Sequence, residues 1–126
     1  MPLSPSFAQT LAKKATGQTA TLPTEWWVSL HTGDPTSAGT ANEVAGGSYA
    51  RQQVTSWAWD SGADKRSESG NVLTFPAIPG CTVTHFGVFD GLAGTLLWYG
   101  AVETPQLVDA GQPVEIAVAN VAIKFS

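Results

Sequence analysis

Hydrophobic positions along the chain follow two different periods. Near the N-terminus Phe7 and Leu11, with Ala8, Ala12 and Ala15, recur at helix spacing and predict a short helix over 4–16. Ser4 can cap it, Pro5 suits the first helical position, and Gly17 is a stop. Lys13 and Lys14 suit the negative pole of the helix dipole. So short a helix is marginal alone and must dock on its own domain or on a neighbour. From Leu22 onward the period is two. Trp26, Val28 and Leu30 share one face of a first strand. Tyr49–Thr55 is a second candidate, which Trp57-Ala58-Trp59 can extend, and Asp60–Gly70 reads as polar and turn-like. Val72–Phe75 and Thr82–Phe89 are further strands, and Asp90–Gly94 reads as a hairpin loop leading to Thr95–Ala101. Ala110-Gly111-Gln112-Pro113 is a turn. Val114, Ile116 and Val118, then Val121, Ile123 and Phe125, alternate with other residues to the C-terminus, so the end of the chain is expected to be paired.

About six to eight short strands at roughly ten-residue spacing read as an antiparallel sandwich or barrel. No internal repeat and no linker divides the chain. The Gly/Ser/Thr-rich stretch 33–48 is the longest weakly structured segment, of a length usually functional or ordered by a partner.

Composition narrows the class. At 126 residues the chain is one domain, large enough for a core without metal or disulfide help. Only 13% of residues are charged, against about 25% in typical domains. Thr, Ser, Gly, Ala and Gln fill the deficit, which suits strands, turns and surfaces that meet other chains better than a freely soluble enzyme. The net charge of −4 and scattered basic residues, paired only at Lys13-Lys14 and Lys65-Arg66, argue against nucleic acid. Cys81 is alone, so no internal disulfide forms and a buried, inert thiol is expected. No apolar run approaches a membrane span. The N-terminus lacks the basic start and apolar core of a signal peptide, so folding in a cytoplasm is expected.

Candidate chemistry is sparse. His31 and His85 are the only histidines, and a Ser–His–Asp set can be assembled on paper, but no G-x-S-x-G pattern is present. Hydrogen-bonded structural histidines near strand ends are the favoured reading. One Cys and two distant His give no zinc spacing. Asp34, Asn42 and Glu43 could offer oxygens to calcium, but Asp34-Pro35 more simply starts a turn through the Asp side chain. Asp60 and Asp64 read as solvated loop acids and not as a glycosidase pair. Gly46-Gly47 is no phosphate cradle; the glycines allow positive φ where the long loop turns into a strand. Tyr49 and Arg51 point to one face. Two readings stand for them: a Tyr half-buried at a sheet edge with Arg pairing an acid, or a subunit contact. Trp98 among Leu96, Leu97 and Tyr99 reads as core. Trp26 or Trp27 must face outward, and Trp57 and Trp59 share a face. These aromatics serve either core packing or an interaction surface able to stack on sugar rings.

Several runs resemble a family of small structural proteins of tailed bacteriophages, described as tail-fibre-like virion proteins. The order is LHTGDPT, GTANEVAGGSYARQQVT, GNVLTFP, VTHFGVFDGLAGTLLWYGAV and TPQLVDAGQPVEIAVANVAIKF, after a short amphipathic N-terminal segment. The glycine–tyrosine–alanine–arginine run and the VTHFGVFD strand are the specific parts. Trp26-Trp27 and Trp57-Ala58-Trp59 depart from the family and mark a surface particular to this chain. The resemblance implies a β-sandwich and a place in the virion.

The expectation is therefore a mainly β protein. It is a single antiparallel β-sandwich of jelly-roll or Ig-like two-sheet type, with a short N-terminal helix. Residues 1–17 would be a helical docking segment and 18–126 the sandwich. The expected function is a non-enzymatic structural role in a tail fibre or near the baseplate. It would use contacts with other phage structural proteins and self-association, a trimer by analogy with fibre and decoration proteins. Capsid decoration on the head is the alternative, and a module binding host-surface glycan through exposed Trp a further one. No cofactor, metal, nucleic acid or membrane is expected. Assembly would take place in the host bacterial cytoplasm. Interaction candidates are Phe7, Leu11, Trp27, Tyr49, Arg51, Trp57 and Trp59.

Overall fold

The structure, a computed structural model, describes residues 3–60, 66–69, 73–116 and 122–124. It is mainly β and antiparallel, with one short helix. Helix α1 spans Pro5–Ala15, and the strands are β1 (Trp27–His31), β2 (Gln52–Gln53), β3 (Trp57–Asp60), β4 (Arg66–Ser69), β5 (Leu73–Phe75), β6 (Cys81–Phe89), β7 (Leu96–Val108), β8 (Val114–Ile116) and β9 (Ala122–Lys124). Among the described residues they form three sheets, ordered β2-β1-β6-β7, β3-β4-β9 and β5-β8.

The four-stranded sheet carries the candidate site. One half of it is the β6–β7 hairpin that the Asp90–Gly94 signal predicts. The Asp90 carboxylate accepts the Thr95 N–H at 2.7 Å, and the two backbones pair across the loop. β7 extends well past the Thr95–Ala101 stretch predicted for it. One irregularity against β6, between Val83 and His85, falls in that extension, and another, between Val88 and Phe89, lies near the hairpin loop. Among the described residues only β6 flanks β7 in the sheet order, and Pro105 is tolerated there because an edge strand need not donate on its free side.

The other edge of β7 is met by the N-terminus. Leu3 bridges to Trp98, and the Ser4 N–H donates to the Leu97 carbonyl at 2.8 Å. Ser4 then caps α1, its hydroxyl accepting from the Phe7 N–H. The face of α1 turned to the sheet carries Ser4 and Phe7, which are buried, and Leu11, which is half-buried. Ala8, Ala12 and Ala15, predicted to share that stripe, are exposed. Phe7 has the bulk to reach Trp98, and its ring stacks there at 6.1 Å between centroids.

Two segments depart from the pattern reading. Trp57-Ala58-Trp59 does not extend β2; it begins β3 in another sheet. The polar run 66–69, read as turn-like, is strand β4, because β3 and β9 pair with it on either side. Pairing partners, not its own alternation, impose that conformation. Val118, Val121 and Phe125 lie outside the described residues.

One core cluster joins these elements: Val28, Leu30, Phe75, Val83, Phe86 and Trp98 are among its buried members, with Phe7 at its border. Val28 and Leu30 face it as the period-two reading expects, and Trp26 packs against it.

Candidate functional site

The opposite face of β1 is polar and still buried. Ser29 and His31 project there, and neither has any exposed surface. What covers them is the 33–48 segment, which folds back along β1. Thr32 N–H donates to Asn42 O at 2.9 Å and Val44 N–H to Leu30 O at 3.0 Å, with a bridge between His31 and Glu43. The segment predicted to be functional or partner-ordered is thus ordered by its own chain.

Turn chemistry sets its course. Asp34 accepts the Thr36 N–H at 2.8 Å, the turn expected of Asp34-Pro35. Asn42 Nδ2 donates to the Asp34 carbonyl at 3.1 Å. Gly39 has φ +80, and a Cβ there would lie 2.8 Å from Leu96, so only glycine lets the segment settle on the sheet. Gly46 and Gly47 adopt positive φ of 101° and 57°, as expected where the loop turns toward Tyr49.

Two polar clusters fasten the segment. In the first, His31 Nδ1 lies 2.8 Å from the Ala41 carbonyl and Nε2 lies 2.7 Å from Ser29 Oγ. A carbonyl only accepts, so Nδ1 carries the proton and Nε2 accepts from the Ser29 hydroxyl. Burial holds the His31 pKa below its ordinary value, despite opposing contributions from the Ala41 carbonyl and Glu43. The neutral tautomer is the one that this hydrogen-bond pattern needs. Gly87 lies opposite Ser29, and a Cβ on it would come within 2.9 Å of Ser29 Oγ.

In the second cluster Glu43 is the hub. Arg51 grips it with Nε to Oε2 at 3.0 Å and Nη2 to Oε1 at 2.9 Å, and Tyr49 Oη donates to Oε2 at 2.7 Å. Tyr49 Oη in turn accepts the Leu30 N–H at 3.1 Å. Arg51 Nη1 donates to the Leu92 carbonyl at 3.0 Å, and its guanidinium lies 3.8 Å above the centre of the Phe89 ring. Arg51 therefore ties the 33–48 segment to β6 and to the β6–β7 loop. Burial pushes the Glu43 pKa up, but the hydrogen bonds from Arg51 and Tyr49 and the Arg51 charge outweigh it and hold it below the carboxylate norm. Tyr49 is pushed far up by burial and by the adjacent Glu43 carboxylate. The Glu43 hydrogen bond raises Arg51. Of the two readings of Tyr49 and Arg51, the half-buried tyrosine beside an Arg–acid pair describes this geometry.

Chemically the arrangement is a clamp. Ser29 and His31 make a serine–histidine contact, but both are sealed from solvent. The second histidine nitrogen is held by a carbonyl where a triad would need a carboxylate. Of the oxygens considered for calcium, both of Glu43 face Arg51 and Asp34 Oδ1 accepts from the Thr36 N–H, while the Asn42 amide donates to the Asp34 carbonyl. No cluster of three metal-binding side chains occurs among the described residues. Cys81 is half-buried and its thiol pKa is raised by burial.

The other candidates are distributed. Trp27 is half-buried on the polar face of β1, its indole N–H donating to Glu25 at 3.0 Å. Trp57 packs edge-on against Trp26 at 5.8 Å and against Trp98 at 5.8 Å, with its indole N–H buried and unpaired among the described residues. A sugar stacked on that ring would have to displace this packing. Trp59 lies on β3, and its side chain is outside the described residues, as are those of Asp60 and Asp64. Phe7, Trp98, Trp57 and Trp26 thus form one aromatic chain, distinct from the clamp. Sequence reasoning missed Ser29 and Phe89, and considered Glu43 only as a metal ligand. For Ser29 the signal existed: it shares a strand face with His31 by the period-two rule.

A closed, acceptor-satisfied clamp on a β scaffold fits an architectural protein, and comparison with known families agrees. The chain belongs to the podophage GP4 fiber I protein gp80 family. The model of that family matches residues 3–124. The match runs from the residue that bridges β7 to the end of β9, so both the aromatic chain and the clamp lie inside it. The resemblance to tail-fibre-like phage structural proteins therefore holds across the chain. No curated protein matches it.

Proposed function

We propose that this chain is a non-enzymatic building block of a tailed-phage tail fibre, fibre- or baseplate-associated. It works through contacts with other virion proteins and with further copies of itself, three to an assembly. The observation that carries this reading is the fibre-family match over residues 3–124. The geometry adds support, because the polar residues with chemical potential are spent on internal hydrogen bonds. In this reading the sheets pack as a two-layer β-sandwich, and Tyr49 and Arg51 act by shaping the surface that a neighbour meets. Phe7 anchors α1 in the core, so docking falls to the exposed side of that helix.

Gold-labelled antibody against the chain, imaged on intact particles by electron microscopy, tests the placement. Label at the tail is the expected result. Label spread over the capsid would replace the fibre role with head decoration. Native mass spectrometry of the purified protein tests self-association, with a trimer expected.

A further inference from the structure

One opening in the molecule is not used by the clamp or by the fibre reading. The start of α1, the 33–48 segment and the β6–β7 loop line an open surface cavity of about 530 Å³. That lies within the usual range for small-molecule sites, roughly 300–1,000 Å³. Its lining is mainly apolar, with a few donors set into it. Ser6, Ser37, Thr40 and Thr95 bring hydroxyls, Arg51 reaches it, and no acidic side chain is among the lining residues.

Two features define what it would hold. The first is Arg51. Of its five N–H groups, Nε, one on Nη1 and one on Nη2 are taken by Glu43 and the Leu92 carbonyl. One N–H on each terminal nitrogen has no acceptor among the described residues. The fork cannot swing away, because Glu43 and the Phe89 ring fix it. The second is Ser4, which lines the same cavity and is only 3% exposed. Its oxygen accepts from Phe7 N–H, while its own hydroxyl proton meets no acceptor among the described residues. Buried donors of this kind are normally satisfied. The α1 N-terminus beside it adds a positive end.

The size of the charge decides the ligand. Glu43 already neutralises Arg51, so the cavity offers oriented donors and about half a charge from the helix end. A dianion would be left about one and a half charges short there, and a single carboxylate only about half a charge, which the oriented donors offset through charge-assisted hydrogen bonds. The surrounding Ser and Thr hydroxyls, each both donor and acceptor, suit a polyhydroxylated body. The geometry points to a binding site for a carboxylate-bearing sugar, held by Arg51 and the Ser4–Ser6 turn at its acid group and by Ser37, Thr40 and Thr95 at its hydroxyls. This inference does not depend on where in a virion the chain sits.

Amide NMR of the full chain with added glucuronate, glucose, acetate or inorganic phosphate tests it. Glucuronate should give saturable shifts confined to Ser4, Ser6, Ser37, Thr40, Arg51 and Thr95. Glucose should bind about tenfold more weakly, as expected for loss of a charge-assisted hydrogen bond. Acetate should also be weaker, because it lacks the hydroxyls. Ala93→Phe, at an exposed lining position, should fill the cavity and abolish the shifts; Ala38→Phe fills it from the other wall if the first variant does not fold. No saturable response to glucuronate, equal binding of glucose, tighter binding of phosphate, or full retention of binding in the filled variants would each overturn the proposal.

Discussion

The aromatic chain that seats α1 and the polar clamp that seats the 33–48 segment do the same job by opposite means. Each fixes a mobile-length piece of backbone to one sheet. The first uses Phe7, Trp98, Trp57 and Trp26, makes no ion pair, and leaves two buried indole N–H groups without partners among the described residues. The second uses Glu43, Arg51, Tyr49, His31 and Ser29, and its groups interlock. Area removed from water holds the one; geometry and protonation state hold the other. The clamp should therefore respond to pH, and the aromatic chain should not.

The largest effect tests the aromatic side. Phe7→Ala removes a ring that is 7% exposed and leaves a void against Trp98. A loss of about 3–5 kcal/mol is expected, typical of Phe→Ala in a core. Urea unfolding should give the same loss at neutral and mildly acidic pH, and a strongly pH-dependent loss would erase the contrast between the two regions.

Breaking the hub of the clamp comes next. Glu43→Ala leaves the Arg51 fork and the Tyr49 hydroxyl without their shared partner. With side-chain exposures of 15% and 19%, the pair is screened less than a surface one, and a cost of about 2–3 kcal/mol is expected. Hydrogen exchange should rise in the 33–48 amides and not in α1. A uniform rise would mean that the two regions are one cooperative unit.

Tyr49→Phe is smaller. It removes the donor to Glu43 and the acceptor of Leu30 N–H while keeping the ring stacked on Phe75 at 6.2 Å. About 1–2 kcal/mol is expected from thermal unfolding, mostly from the orphaned Leu30 amide. An unchanged midpoint would show that water replaces the hydroxyl.

Titration sharpens the comparison most finely. Folding lowers the His31 pKa from 6.5 and the Glu43 pKa from 4.5, so the unfolded chain binds protons first as the pH falls. The stability these groups contribute is present above those values and is lost as the pH drops through the folded ones. Tyr49 is shifted up from 10.0, so its contribution is complete below that value and fades in stronger alkali. Protection of the 33–48 amides, taken relative to the intrinsic exchange rate at each pH, should thus fall first below about pH 6.5, again below about 4.5, and above about 10. Flat protection of the segment from pH 7 to 4 would remove His31 and Glu43 as its fasteners.

Much of this was readable from residue order wherever a local rule decides the outcome. Ser4-Pro5 marked the helix start, Asp34-Pro35 its turn and Asp90–Gly94 the hairpin. The period of two also put Tyr49 and Arg51 on one face. What stayed hidden depends on routes through space. That Glu43 and not another acid pairs with Arg51 follows from the 33–48 segment doubling back on β1, which no periodicity encodes. Strand β4 has no apolar alternation and is specified by its neighbours. The spacing of the α1 alanines does not fix their side, because small residues fit either face of a helix, and Phe7 has the reach to settle its orientation.

The bridge from Leu3 to Trp98 has a consequence for the order in which the molecule forms. Residues early in this sequence are here held by a strand made after them. Helix α1 is too short to persist alone, so Phe7 stays in water until β6 and β7 have emerged and paired. Closure is therefore non-local and slow relative to the hairpin, and until it happens the nascent chain exposes an aromatic ring and an unpaired edge. A crowded site of synthesis, making many copies at once, is where such an interval invites one chain to lend its first residues to the strand of another.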